Sequence, residues 1–184
     1  SRFTNPIRVL SEAIQKANEI LVIEAKEDAE KQGMGTTVVA ATIIDHRMYV
    51  ANVGDSRLYV IGETIKQITK DHSYVEEMVR MGKVNREEAR THEKKNVITR
   101  AVGAMEKVEA DFFEVELKDK DTVLLCTDGL SNMVTDERIC QIVSSNVHTE
   151  EIARKLVEEA NKNGGHDNIT TVVLKPYYDE VKKC

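Results

Sequence analysis

The chain has 184 residues, enough for one domain with a substantial core. Charged residues make up 32% and hydrophobic residues 41%, as in a soluble globular protein, while the net charge of −6 argues against a nucleic-acid binder and its basic patch. No apolar run approaches the roughly 18 residues of a membrane span, no signal peptide is visible, and three scattered cysteines without a C-x-x-C pair point to a reducing cytoplasm rather than to disulfides or zinc.

Asn5 followed by Pro6 reads as a helix start. Ile7, Leu10, Ile14, Ala17 and Leu21 recur at steps of three and four, so one apolar face predicts a helix to about Lys31, ended by Gly33-Met34-Gly35. Thr36 to Ile44 is β-branched and nearly all apolar, which predicts a strand covered on both faces. Asp45-His46-Arg47 turns it back into Met48 to Val53. A second hairpin, Ser56 to Ile61 and Ile65 to Thr69, turns at Gly62-Glu63-Thr64. Ser73 with Glu76, and Asn85 with Glu88, open two short helices. Residues 74–96 are polar with few core anchors, so they are expected to form a mobile surface insertion.

Phe113, Val115 and Leu117 alternate with acidic residues as in a half-buried strand, and Lys118 to Asp121 turns into the apolar Thr122 to Cys126. Thr135 caps a helix whose inner face is Ile139, Ile142 and Val143. Thr149 starts a last helix with Ile152, Leu156 and Ala160 inward, which Asn163-Gly164-Gly165 ends. A strand Ile169 to Leu174 follows, and the polar residues after Pro176 are expected to fray. Hairpins with helices before and after favour an antiparallel α/β (α+β) layered fold over a doubly wound one.

Three polar islands stand at strand ends: Gly54-Asp55-Ser56-Arg57, Thr127-Asp128-Gly129 and Asp167-Asn168. Any one of them alone is accounted for by turn formation. Together, Asp55, Asp128 and Asp167 offer rigid carboxylates of the kind that hard cations such as Mg²⁺ and Mn²⁺ take, alongside several waters. Arg57 and Arg100 could bind phosphate in bidentate fashion, although bracing of nearby carboxylates is the commoner role. His72 could act as an acid or base, or hold the base of the 74–96 insertion by hydrogen bonds; His166 reads as a solvated loop residue beside Asp167. Cys126 lacks the C-x-x-x-x-x-R loop of cysteine phosphatases, Ser56 and Ser131 have no triad-like histidine, and Gly33-Met34-Gly35 is not a Walker A loop.

Gly33 to Thr37 (GMGTT), Ala51 to Arg57 (ANVGDSR), Thr69 to Ser73 (TKDHS), Asn96 to Gly103 (NVITRAVG), Leu124 to Gly129 (LLCTDG) and Gly164 to Asn168 (GGHDN) occur in one order. Over roughly residues 7–174 the chain resembles the metal-dependent protein phosphatases of type 2C in their compact bacterial form. The resemblance implies two stacked, mainly antiparallel β-sheets flanked by helix pairs. It also implies hydrolysis of phosphoserine and phosphothreonine by a water bridging two Mn²⁺ or Mg²⁺ ions. By that resemblance Asp128 and Asp167 hold the second metal, Asp55 with Asp128 a weaker third, and residues 74–96 form the flap beside the site. The implied partners are phosphoproteins and a bacterial Ser/Thr kinase.

The family's first-strand Asp and phosphate-binding Arg, and the Asp-Gly-x-Gly-Gly turn carrying its bridging aspartate, find no match here; they are expected upstream of Ser1. The opening strands of the family pair with those matching Thr36 to Ile44 and Thr122 to Cys126. Residues 1–184 alone are therefore expected to be inactive and to form strand-exchanged dimers or aggregates. The alternative to an enzyme is a catalytically incomplete, phosphatase-like binding or dimerisation module.

Overall fold

In a computed structural model of the chain, described over residues 5–145 and 148–176, the expected helix start is met: Asn5 Oδ1 accepts from Ile7 N at 3.0 Å and Pro6 opens α1 (Pro6–Glu27). The helix stops earlier than Lys31. Asp28 leaves helical geometry and caps a separate 3₁₀ turn, Ala29–Lys31, through Glu30 N. Its inner face also differs, for Ala17 is exposed and Asn18 is buried beside Ile14.

By contacts the chain falls into two units, residues 1–56 with 69–115 and residues 57–68 with 116–184. The first carries α1 and a three-stranded sheet ordered β1-β2-β5, built from β1 (Val38–Ile44), β2 (Arg47–Val53) and β5 (Asp111–Glu116). β1 and β2 are antiparallel, with Ile44 opposite Arg47. Asp45 and His46 take φ of 46° and 63°, the two left-handed residues that a tight hairpin turn requires. Ile14 packs with Ala51, Val53, Val102 and Val108, flanked by Leu10, Leu21, Val38 and Phe112. β1 was expected to be covered on both faces, but its residues are half-buried, or exposed at Ala41 and Ile44. It is an edge strand, whereas β2, in the middle, is buried at Met48, Val50, Ala51 and Val53.

The same unit holds α2 (Tyr74–Arg80) and α3 (Arg86–Thr91), neither of which buries a residue. Asn85 and Glu88 form a reciprocal capping box on α3, and Ser73 Oγ accepts from Glu76 N on α2. Arg86 clamps Glu76 with two bonds of 2.7 and 3.0 Å, and Lys94 lies 5.2 Å from the Tyr74 ring centre.

The second unit is an antiparallel sheet ordered β4-β3-β6-β7, made of β3 (Arg57–Ile61), β4 (Ile65–Gln67), β6 (Thr122–Cys126) and β7 (Thr171–Leu174). β6 has a strand on each side, β3 and β7, whereas β1 has one, β2. After β6 comes a short helix, α4 (Asp128–Ser131), that the sequence pattern did not indicate. Thr135 Oγ1 caps α5 (Asp136–Ser144) through Arg138 N; α6 (Thr149–Lys162) ends at Gly164 and Gly165, both at positive φ.

Ile139, Ile142 and Val143 of α5 and Ile152, Leu156 and Ala160 of α6 meet Tyr59, Ile61, Leu124 and Cys126, as their spacing predicted. Each fully buried Ile or Leu contributes about 1.5–3 kcal/mol, which anchors both helices to the sheet that carries the site. Residues 177–184, where fraying was expected, lie outside the described residues.

Candidate metal centre

Asp128 and Asp167 come together because β6 and β7 are neighbours. The ladder ends at Cys126 opposite Thr171, and both aspartates lie just past that end. Asp128 is the first residue of α4, and Asn132, one turn on, donates Nδ2 to Asp128 Oδ2 at 3.2 Å. Asp167 Oδ1 accepts from Asn168 N at 2.6 Å. A Cβ on Gly129 would overlap the Asn168 carbonyl, so only glycine lets the two loops close up.

The electrostatics report the same proximity. Burial pushes the Asp128 carboxyl up from its ordinary value, and repulsion from Asp167 pushes it further; amide hydrogen bonds and the Arg57 charge oppose this without cancelling it. A half-buried carboxylate facing a second one favours a divalent cation, and an all-oxygen donor pair suits Mn²⁺ or Mg²⁺, which keep waters in their remaining positions. The pair therefore fits such an ion. Among the described residues, no group of three or more His, Cys, Asp or Glu is placed to hold one.

Asp55 belongs to the first unit, half-buried in the turn after β2. That turn is held from several sides. A Cβ on Gly54 (φ 107°) would run into Thr37 Cγ2. Asn52 Nδ2 donates to Gly54 O (3.2 Å) and Lys70 O (3.1 Å), and the Thr37 and Ser56 hydroxyls meet at 2.9 Å. His72 N donates to Gly54 O at 2.9 Å, and His72 Nδ1 accepts from Gly54 N at 3.1 Å. His72 also joins the base of the 74–96 insertion: its carbonyl accepts from Thr99 N, and Tyr74 N donates to Val97 O, each at 2.8 Å. The bracing role considered for His72 is thus what its contacts support.

Arg100 Nη1 donates to Asp111 Oδ1 at 3.0 Å, and His72 Nε2 lies 3.1 Å from Asp111 Oδ2. Burial opposes the charge on Asp111, but the hydrogen bonds from His72 and Arg100 and the charge of Arg100 win and hold its carboxyl below the usual range. Arg57 Nη1 donates to Tyr59 OH at 3.0 Å, which donates to Asp136 Oδ1 at 3.1 Å; burial pushes the Tyr59 phenol well up. Arg100 thus braces a carboxylate, the commoner role, whereas the bond described for Arg57 goes to a phenol. Cys126 and Ser131 are buried, and His166 is exposed over Gly164. Sequence reasoning missed Asp111, Asn132 and Thr127. Asn132 was within reach, because a side chain four residues past Asp128 shares its helix face.

Residues 2–169 match the family described as Protein phosphatase 2C. This chain belongs to the protein phosphatase 2C family. Within the family it is 41% identical over 167 residues to the Serine/threonine phosphatase stp of Listeria innocua, covering 90% of this chain and 66% of that protein, so it spans just under two thirds of that relative. The crystal structure of Serine/threonine phosphatase Stp1 from Staphylococcus aureus superposes with a TM-score of 0.90 at 36% identity, covering 94% of this chain and 70% of that one. The catalytic domain of the phosphatase PstP, in complex with two manganese ions, superposes with a TM-score of 0.83 at 32% identity, covering 94% of this chain and 72% of that one.

Proposed function

We propose that this chain is the greater part of a catalytic domain that hydrolyses phosphoserine and phosphothreonine in proteins, with Mn²⁺ or Mg²⁺ as cofactor. The observation that carries this reading is the mutually repelling pair of the half-buried Asp128 and the exposed Asp167 at adjoining strand ends. The family match runs through both units, which supports treating them as one phosphatase domain. Asp128 and Asp167 would hold a metal of the binuclear pair, and Asp55 would help to hold a weaker third ion. Bound cations supply Lewis acidity toward the phosphoryl oxygens and lower the pKa of a coordinated water. Asn132 orients the Asp128 carboxylate, and Arg57 offsets part of its charge. His72 fixes the backbone from which Asp55 projects.

The partners are phosphoproteins, and a bacterial Ser/Thr kinase acting on the same sites would be the natural counterpart. The proposed compartment is the cytoplasm; no helix among the described residues is long and apolar enough to cross a membrane. In the complete protein, a phosphothreonine peptide should release phosphate with Mn²⁺, and chelation should abolish release; turnover that survives exhaustive chelation would contradict the reading.

One observation favours a second reading, a phosphatase-like binding module: among the described residues two carboxylates, and not three, converge. Specific Mn²⁺ binding with no turnover on any phosphopeptide would select it.

A further inference from the structure

Thr127 and Thr170 form the first pair beyond the β6–β7 ladder, and they are joined by a side chain where a backbone group would ordinarily serve. Thr127 N donates to Thr170 O at 3.1 Å, as in any hydrogen-bonded antiparallel pair. The return bond from Thr170 N would fall on the Thr127 carbonyl, but that carbonyl accepts from Leu130 N at 3.1 Å and so opens α4. Thr127 Oγ1 takes its place, accepting from Thr170 N at 3.0 Å and donating to Asn168 O at 3.2 Å. Thr127 is also the N-cap residue of α4, yet its side chain makes no capping bond; its hydroxyl is committed across the strands.

We infer that Thr127 is a positioning residue for the carboxylate pair: its hydroxyl sets the spacing of Asp128 and Asp167 by tying the backbone next to one aspartate to the backbone next to the other. The inference rests on the reading of that pair as metal ligands. Asp128 follows Thr127 directly and Asp167 precedes Asn168 directly, so a link between these two stretches of backbone sets how far apart the carboxylates are anchored. The link is one hydroxyl acting as acceptor and donor at once, and Gly129 approaches the same Asn168 carbonyl too closely for any side chain. Holding the pair together before the ion arrives removes a reorganisation cost from binding. A methyl group in place of the hydroxyl leaves the Thr170 amide without its acceptor and frees the Asn168 carbonyl.

Mn²⁺ titration of the full chain, followed by the electron paramagnetic resonance of free Mn²⁺, tests this with wild type, Thr127→Val and Thr127→Ser. Thr127→Val should weaken Mn²⁺ binding about 10- to 100-fold, the usual cost of losing an outer partner of a metal ligand. Thr127→Ser, which keeps the hydroxyl, should stay close to wild type. Without cation, the Thr170 amide should exchange faster in Thr127→Val, while amides of α5 and α6 keep their protection. Wild-type affinity in a folded Thr127→Val protein overturns the positioning role and leaves the metal reading intact; a wild type that binds no Mn²⁺ overturns the metal reading itself. If Thr127→Val does not fold, Thr127→Ala removes the same hydroxyl without adding a methyl group, and unchanged affinity there is equally decisive.

Discussion

His72 Nδ1 accepts the Gly54 amide at 3.1 Å from a ring only 6% exposed, which assigns the ring proton to Nε2, facing Asp111 Oδ2 at 3.1 Å. The imidazole is therefore a two-ended strut between an ion pair and the turn that carries Asp55.

Removing the strut should cost stability and loosen that turn. His72→Ala leaves the buried Gly54 N–H without its acceptor, a loss of about 1–3 kcal/mol. Urea denaturation of the variant should show a lower midpoint at an unchanged slope. An unaltered midpoint would show that water replaces the ring without loss.

The Asp111 end of the strut predicts an acid response. Asp111 is held below its ordinary 3.8 by His72 and Arg100, against the effect of burial, so the folded state binds the anion better than the unfolded chain does. The resulting stability is fully present above about pH 4, near the unfolded value, and is lost as pH falls through the lower folded value. Thermal melts should show Asp111→Asn less stable than wild type at pH 7, the gap narrowing as the pH falls below 4. A gap independent of pH would assign the effect to packing instead of charge.

The aspartate pair should trade stability for function. In the complete protein, Asp128→Asn or Asp167→Asn should lower Mn²⁺-dependent turnover on the order of 100-fold or more, since losing a ligand costs at least as much as losing its outer partner. Either change should raise the melting temperature of the cation-free protein, because the repulsion that lifts the Asp128 carboxyl is gone. A fall in the cation-free melting temperature would mean that the two side chains do not face each other in solution.

Residues 74–96 should exchange their amides faster than β2 or β6. Neither α2 nor α3 buries a residue, and Met81 is 57% exposed, so opening them sacrifices little apolar contact. The pairing of residues 72–74 with 97–99 should protect the base while the tip exchanges. Uniform protection across the insertion would contradict this.

The helices of the second unit were legible because their periodicity and their burial coincide: Ile139, Ile142, Ile152 and Leu156 are both spaced and placed as core. Asp128 and Asp167 were legible from turn chemistry next to apolar strands. β1 misled because its composition records what such a strand can pack against, while its position at a sheet edge is set by long-range pairing. The short α4 and the role of Thr127 depend on where a single carbonyl is spent, and no local pattern announces that. Asp111 sits in a strand of alternating acids, where nothing distinguishes it from Glu114 or Glu116 before the fold brings Arg100 and His72 to it.

The first helix has an ambiguity that its polar residue resolves. Val9, Ile20 and Ile23 are 47–52% exposed, so α1 carries apolar side chains on its outer surface as well as its inner one, and greasiness alone would let the rod settle in more than one rotation. Asn18 removes that freedom. Its amide donates to the Met105 carbonyl at 2.9 Å and accepts the Gly103 amide at 2.7 Å, so a turn in either direction would strand groups at both ends of the 103–105 bend. One side chain thus works as a key in a lock: it adds little to the number of buried atoms, yet it decides which of several equally oily faces the helix shows to the sheet.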